Sequence, residues 1–124
     1  MTEELINQLK VVAEFDGWKE IKDDEPEING IWEKGVYPNQ DFEYISDFKY
    51  HTSFDWLVPV YNKSLRLLYN SNELQLKIAT TTEGMMALRA IQTAFDYSVD
   101  KQIHIEPAFL KVYDFITWYN TIKK

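Results

Sequence analysis

The sequence predicts an α+β fold, with about four helices packed on a small, mostly antiparallel sheet; an αβα sandwich is one arrangement open to it. Three observations point there. Apolar residues recur at helical spacing near the start, in the middle and at the end of the chain. Between these stretches lie short runs of period-two alternation. Two of the strand-like runs flank a turn-rich segment that suits a hairpin. With 124 residues, 45% of them hydrophobic and 15% aromatic, the chain suits one domain with a core of its own and not a disordered segment.

The first helix is expected over residues 2–15. Thr2 is placed to cap it, and Glu3 and Glu4 sit at the positive end of its dipole. Leu5, Leu9, Val12 and Ala13 make its apolar stripe, and Gly17 ends it. Trp18–Lys22 and Ile31–Lys34 are candidate strands joined through Asp23-Asp24-Glu25-Pro26-Glu27-Ile28-Asn29-Gly30. Phe42–Ile45 and Phe48–Tyr50 alternate in part and offer further strand.

A second helix follows Tyr50-His51-Thr52-Ser53-Phe54-Asp55-Trp56, where Thr52 and Asp55 have the spacing of a capping box. Leu57, Tyr61, Leu65 and Leu68 mark one face, and Trp56, Val60 and Leu67 a second. Pro59 removes one backbone donor inside this helix. Leu74-Gln75-Leu76-Lys77-Ile78 alternates and reads as a strand. Thr80-Thr81-Thr82-Glu83 offers caps for a third helix with Gly84, Leu88, Ile91 and Phe95 on its stripe and its end near Ser98. Small residues there let a neighbour approach closely. Gln102-Ile103-His104-Ile105 is a further short alternating run. Pro107 then suits the first position of a last helix lined by Ala108, Phe109, Val112, Phe115, Ile116, Tyr119 and Ile122.

Charge is unevenly spread. Residues 1–60 hold 14 acids and 5 lysines, net −9, whereas residues 61–124 hold 6 acids and 8 bases, net +2. Glu14 to Glu33 alone carries net −6. No clustered Lys/Arg run exists to neutralise phosphates, which argues against a nucleic-acid polymer as partner. The acidic stretch reads as a solvated connection or as an acidic docking surface. No run reaches the roughly 18 apolar residues of a membrane span, and the acidic start Met1-Thr2-Glu3-Glu4 lacks the form of an export signal. A cytoplasmic location is expected. Without cysteine there is no disulfide, thiolate zinc site or cysteine nucleophile.

No catalytic constellation stands out. The histidines, His51 and His104, have no second His at metal-ligand spacing. His51, Ser53 and Asp55 contain the residue types of a Ser–His–Asp triad, but neighbours in one short run rarely converge on one substrate atom, and a local capping network is the expectation. A calcium loop counted from Asp23 would need Gly at its sixth position and Glu at its twelfth, where Ile28 and Lys34 stand. The four glycines stand alone, so there is no phosphate-cradling loop. Four Trp, eight Tyr and seven Phe remain the unusual feature. Trp18, Trp32, Tyr37, Tyr44 and Tyr50 serve either as core or as a binding surface.

Three motifs follow one another along the chain: Gly17-Trp18 after the first helix, Tyr50-His51-Thr52-Ser53-Phe54-Asp55-Trp56-Leu57-Val58-Pro59-Val60, and Phe115-Ile116-Thr117-Trp118-Tyr119-Asn120. Together they resemble a group of small uncharacterised proteins encoded by tailed bacteriophages and prophages, and they are similar to the phage αβα-sandwich domain proteins. The resemblance implies a phage or prophage origin and life inside a bacterial host cell. It implies no established activity and carries over no catalytic residue.

The expected function is therefore binding and not catalysis, with a host protein as the partner of a phage-type accessory protein, met through the acidic and aromatic first half of the chain. The alternative is a small-ligand protein that sequesters a nucleotide to counter host defence. For that role Trp32, Tyr50 and His51 would meet the base and Arg89 a phosphate. A hydrolase built on His51 and Asp55 ranks last. No metal or cofactor is expected, and the two-sided apolar helix from Phe54 to Tyr69 is open to being covered by a second copy of the chain.

Overall fold

Thr2 starts the first helix, α1 (Glu3–Phe15), with its hydroxyl oxygen accepting the Leu5 N–H at 3.1 Å. The computed structural model describes residues 2–21, 30–36, 38–95 and 104–123. Leu9, Val12, Ala13 and Phe15 form the buried stripe of α1. Gly17 closes the helix at φ +102°, a left-handed value that glycine adopts without strain. The N–H of Trp18 donates to Ala13 O and that of Gly17 to Glu14 O, which satisfies the last carbonyls.

The hairpin follows as expected, although its first strand is short. β1 (Lys19–Glu20) pairs antiparallel with β2 (Ile31–Lys34), which pairs antiparallel with β3 (Asp41–Tyr44). The order is β1-β2-β3. The acidic connection, residues 22–29, and Tyr37 lie outside the described residues. Gly35, at φ +97°, opens the β2–β3 turn, where a Cβ would stand 2.8 Å from Asn39 O. After β3 a 3-10 turn, Ile45–Asp47, leads to Phe48; no further strand forms over 48–50.

The described residues of the second half form four helices: α2 (Phe54–Asn70), α3 (Asn72–Thr80), α4 (Thr82–Thr93) and α5 (Ile105–Ile122). The fold is thus α+β, with five helices and a three-stranded antiparallel sheet among the described residues. The fifth helix is a correction. Leu74–Ile78 alternates in sequence, but Leu74 and Ile78 are buried one helical turn apart while Leu76 is exposed. Two lone side chains satisfy the helix as well as the strand pattern, and the cap at Ser71 decides: its hydroxyl oxygen accepts the Leu74 N–H at 3.2 Å. His104 and Ile105 likewise begin α5 and are not strand; Gln102 and Ile103 are outside the described residues, as is Ser98. Pro107 stands third in α5, still within the first turn, where no intrahelical donor is needed.

Single residues join α2 to α3 and α3 to α4. Ser71 is the last cap of α2 and the first cap of α3, and Thr81 does the same for α3 and α4, both in extended conformation. The Thr81 hydroxyl donates to Lys77 O at 2.7 Å and accepts the Gly84 N–H at 3.0 Å, so one side chain closes one helix and opens the next. Gln75 Nε2 donates to Leu68 O and Tyr69 O at the end of α2.

The buried face of α2 runs through Leu57, Val60, Ser64 and Leu68, with Tyr61, Leu65 and Leu67 half-buried beside it. The seam therefore falls between the two stripes predicted. Ser64 occupies a core position because its hydroxyl donates to Val60 O at 3.0 Å, leaving no proton unpaired.

The chain divides into two compact units, residues 1–49 and 50–124. In the first, Trp18 and Trp32 pack on Phe48 with ring centroids 5.0 and 5.9 Å apart. In the second, α5 packs on both α2 and α4, and α3 lies against α2 and α4. Its core holds Leu57, Val60, Ile91, Val112, Phe115 and Ile116. Among the described residues no helix is long and apolar enough to cross a membrane.

Candidate functional site

The helical period of α4 and α5 builds a groove of about 510 Å³ between them. On α4 the spacing i, i+3, i+4, i+7 brings Glu83, Met86, Ala87 and Ala90 to one wall. On α5 the other wall is Tyr113, Asp114, Thr117, Trp118 and Thr121. The helices run antiparallel: Lys111, in the first half of α5, donates from Nζ to Thr93 O at the end of α4, 3.3 Å away. Ala87 and Ala90 are small, so the groove between the two backbones stays open. Met86 remains 67% exposed, which makes an apolar side chain available at the rim.

The polar groups of this groove are few. The Thr117 hydroxyl donates to Tyr113 O at 2.9 Å and that of Thr121 to Trp118 O at 2.6 Å, so both protons are spent on backbone carbonyls. Two carboxylates and the Tyr113 hydroxyl remain. Glu83 stands in the first turn of α4, and Asp114 lies midway along α5. Much of Asp114 is open to solvent, yet partial burial against the groove pushes its carboxyl above the ordinary carboxylate range. Among the described residues no lysine or arginine lines the groove.

The residues expected to bind a ligand fall elsewhere. Trp32 is in the core of the first unit, 1% exposed, with its indole N–H lacking a hydrogen-bond partner among the described residues. Tyr50 is fully buried in the second unit and stands edge-on to Trp56, centroids 5.2 Å apart. Both were expected as stacking platforms; their enclosed faces make them packing residues instead. His51 is half-buried and meets Phe109 edge-on. Arg89 is exposed on α4 and does not line the groove. Of the other aromatics in the first half, Trp18 is core and Tyr44 is exposed on β3 beside Phe42.

The expected capping network around His51 is also corrected. The cap residue of α2 is Ser53, which makes no side-chain capping bond, and Thr52 lies in the preceding turn. His51 Nδ1 has no hydrogen-bond partner among the described residues, so neither Ser53 nor Asp55 is bonded to that nitrogen. Burial lowers the His51 pKa from its ordinary value. Among the described residues no group of three or more His, Cys, Asp or Glu side chains could hold a metal ion.

The α4–α5 groove escaped the sequence reading because its two walls are separated in the chain. One signal was present: Asp114, Thr117 and Thr121 recur at helical spacing and interrupt the otherwise apolar final helix. Compared with protein-family models, with curated proteins and with solved structures, the chain matches none.

Proposed function

We propose that this chain is a non-enzymatic accessory protein that acts by holding a segment of a partner protein in the α4–α5 groove. The observation that carries this reading is the groove itself, about 510 Å³ with walls of alanine, methionine and tryptophan between two antiparallel helices. Its size falls in the range of binding clefts, and an apolar trough between helices suits the insertion of a partner's side chains. Methionine at the rim adapts to the shape of what it meets. The resemblance of the Tyr50–Val60 and Phe115–Asn120 motifs to small phage proteins supports a bacterial host protein as that partner.

Photo-crosslinking tests the location. A photoreactive phenylalanine analogue at Met86 should yield one discrete crosslinked partner in bacterial lysate. The same group at Leu76, exposed on α3 and away from the groove, should not. Identical products from both positions, or none from Met86, would remove the groove from the account. The nucleotide reading loses the residues named for it, since Trp32 and Tyr50 present no open ring face, and no described lysine or arginine lines the groove to meet a phosphate.

A further inference from the structure

The two carboxylates of the groove lie at different levels along it. With α4 and α5 antiparallel, the Glu83 end of α4 neighbours the Thr121 end of α5, and the Ala90 end neighbours Tyr113 and Asp114. Glu83 and Ala90 are seven residues apart, which is roughly 10 Å along a helix. The span between the acids is mostly apolar, through Met86, Ala87 and Trp118, and the one hydroxyl on it, that of Thr117, donates to Tyr113 O.

Resting on the groove as a docking site, we infer that its occupant is a partner helix bearing two cationic side chains about two turns apart, with apolar side chains between them. One cation meets Asp114 and the other Glu83, while the apolar pair enters the trough. Two turns of a guest helix have the same rise as the stretch of α4 they lie along. Charge complementarity selects a basic guest, because both rim charges are negative. The neighbouring cations do not neutralise the acids: Lys111 directs its Nζ to Thr93 O, and Arg89 lies outside the groove. Asp114, its carboxyl pushed up by burial, gains from a cation that none of the described residues brings into the lining.

The test uses the full chain and three synthetic helical peptides. The first carries lysines at positions i and i+7 with leucines at i+3 and i+4; the second has glutamates for the lysines; the third sets the lysines at i and i+11 and keeps both leucines. Affinity is read by fluorescence anisotropy and the site by amide chemical shifts. The first peptide should bind and shift residues 83–90 and 113–121. The second should bind about tenfold more weakly, and the double variant Glu83→Gln/Asp114→Asn should lose about tenfold for the first. Equal binding of the first and second peptides, or an unaffected double variant, leaves an apolar docking groove but overturns the basic occupant. Equal binding of the third overturns the spacing. Failure of all three to shift the groove overturns the docking site itself and this inference with it.

Discussion

The imidazole of His51 stands edge-on to the ring of Phe109, with centroids 6.2 Å apart and planes at 85°, and so ties the start of α2 to the first turns of α5. Its Nδ1 is buried without a hydrogen-bond partner among the described residues, and the pKa is lowered by that burial.

This pair gives a pH dependence of known sign. Because the folded-state pKa lies below the unfolded value of about 6.5, the unfolded chain takes up the proton first as pH falls. The His51 contribution is therefore full above that value and is lost as pH drops toward the folded pKa. Urea unfolding of the wild type and of His51→Phe, at about pH 7.5 and about pH 5.5, should show a smaller loss in the variant. Equal losses in both would mean that His51 does not carry the effect.

Caps should rank by their hydrogen bonds and not by their place in a sequence motif. Thr81→Ala removes a hydroxyl that serves α3 and α4 together and should cost about 1–2 kcal/mol. Thr52→Ala, at an exposed turn position with no capping role, should stay within about 0.5 kcal/mol. Chemical denaturation of the two variants side by side decides this, and the reverse ranking would restore the capping box.

Gly84 should resist replacement. Alanine normally favours a helix over glycine by about 1 kcal/mol. Here a Cβ would stand 2.8 Å from Ile78 Cα and 2.8 Å from Lys77 O, both backbone atoms of α3 that have little room to yield. Gly84→Ala should therefore destabilise by about 1–3 kcal/mol, read as a lower melting temperature. A more stable variant would show that α3 and α4 separate readily.

Trp32 should behave as core. Trp32→Ala removes a nearly fully buried indole that packs edge-on against Phe48 at 5.9 Å, and should cost about 3–5 kcal/mol. Trp32→Phe discards the unpartnered indole N–H while keeping most of the ring, and should cost less than about 1.5 kcal/mol. Denaturant titrations followed by near-ultraviolet circular dichroism would separate the two. A surface role for Trp32 requires both variants to be near neutral.

What could be read from the sequence was whatever local chemistry decides. Thr2, Gly17 and the hairpin strand Ile31–Lys34 each carry their signal within a few residues, and each stands where it was expected. Leu74–Ile78 is helix and not strand because apolar residues two apart fit either pattern, while the deciding contact is the side chain of Ser71 upstream. Ser64 in the core of α2 was invisible because its burial rests on a bond to Val60 O that only the folded helix provides. The groove depends on bringing residues 83–90 beside residues 113–121. No local pattern encodes that distance, so the aromatic residues that drew notice, Trp32 and Tyr50, proved to be packing.

The one-residue junctions at Ser71 and Thr81 have a bearing on how this chain can diverge. Each added residue turns a following helix by about 100° and moves it about 1.5 Å. With no loop to absorb that change, a single insertion or deletion at either junction would swing α3 or α4 off its buried face. Relatives sharing this helical run should accumulate substitutions there while keeping its length from residue 54 to residue 93 unchanged.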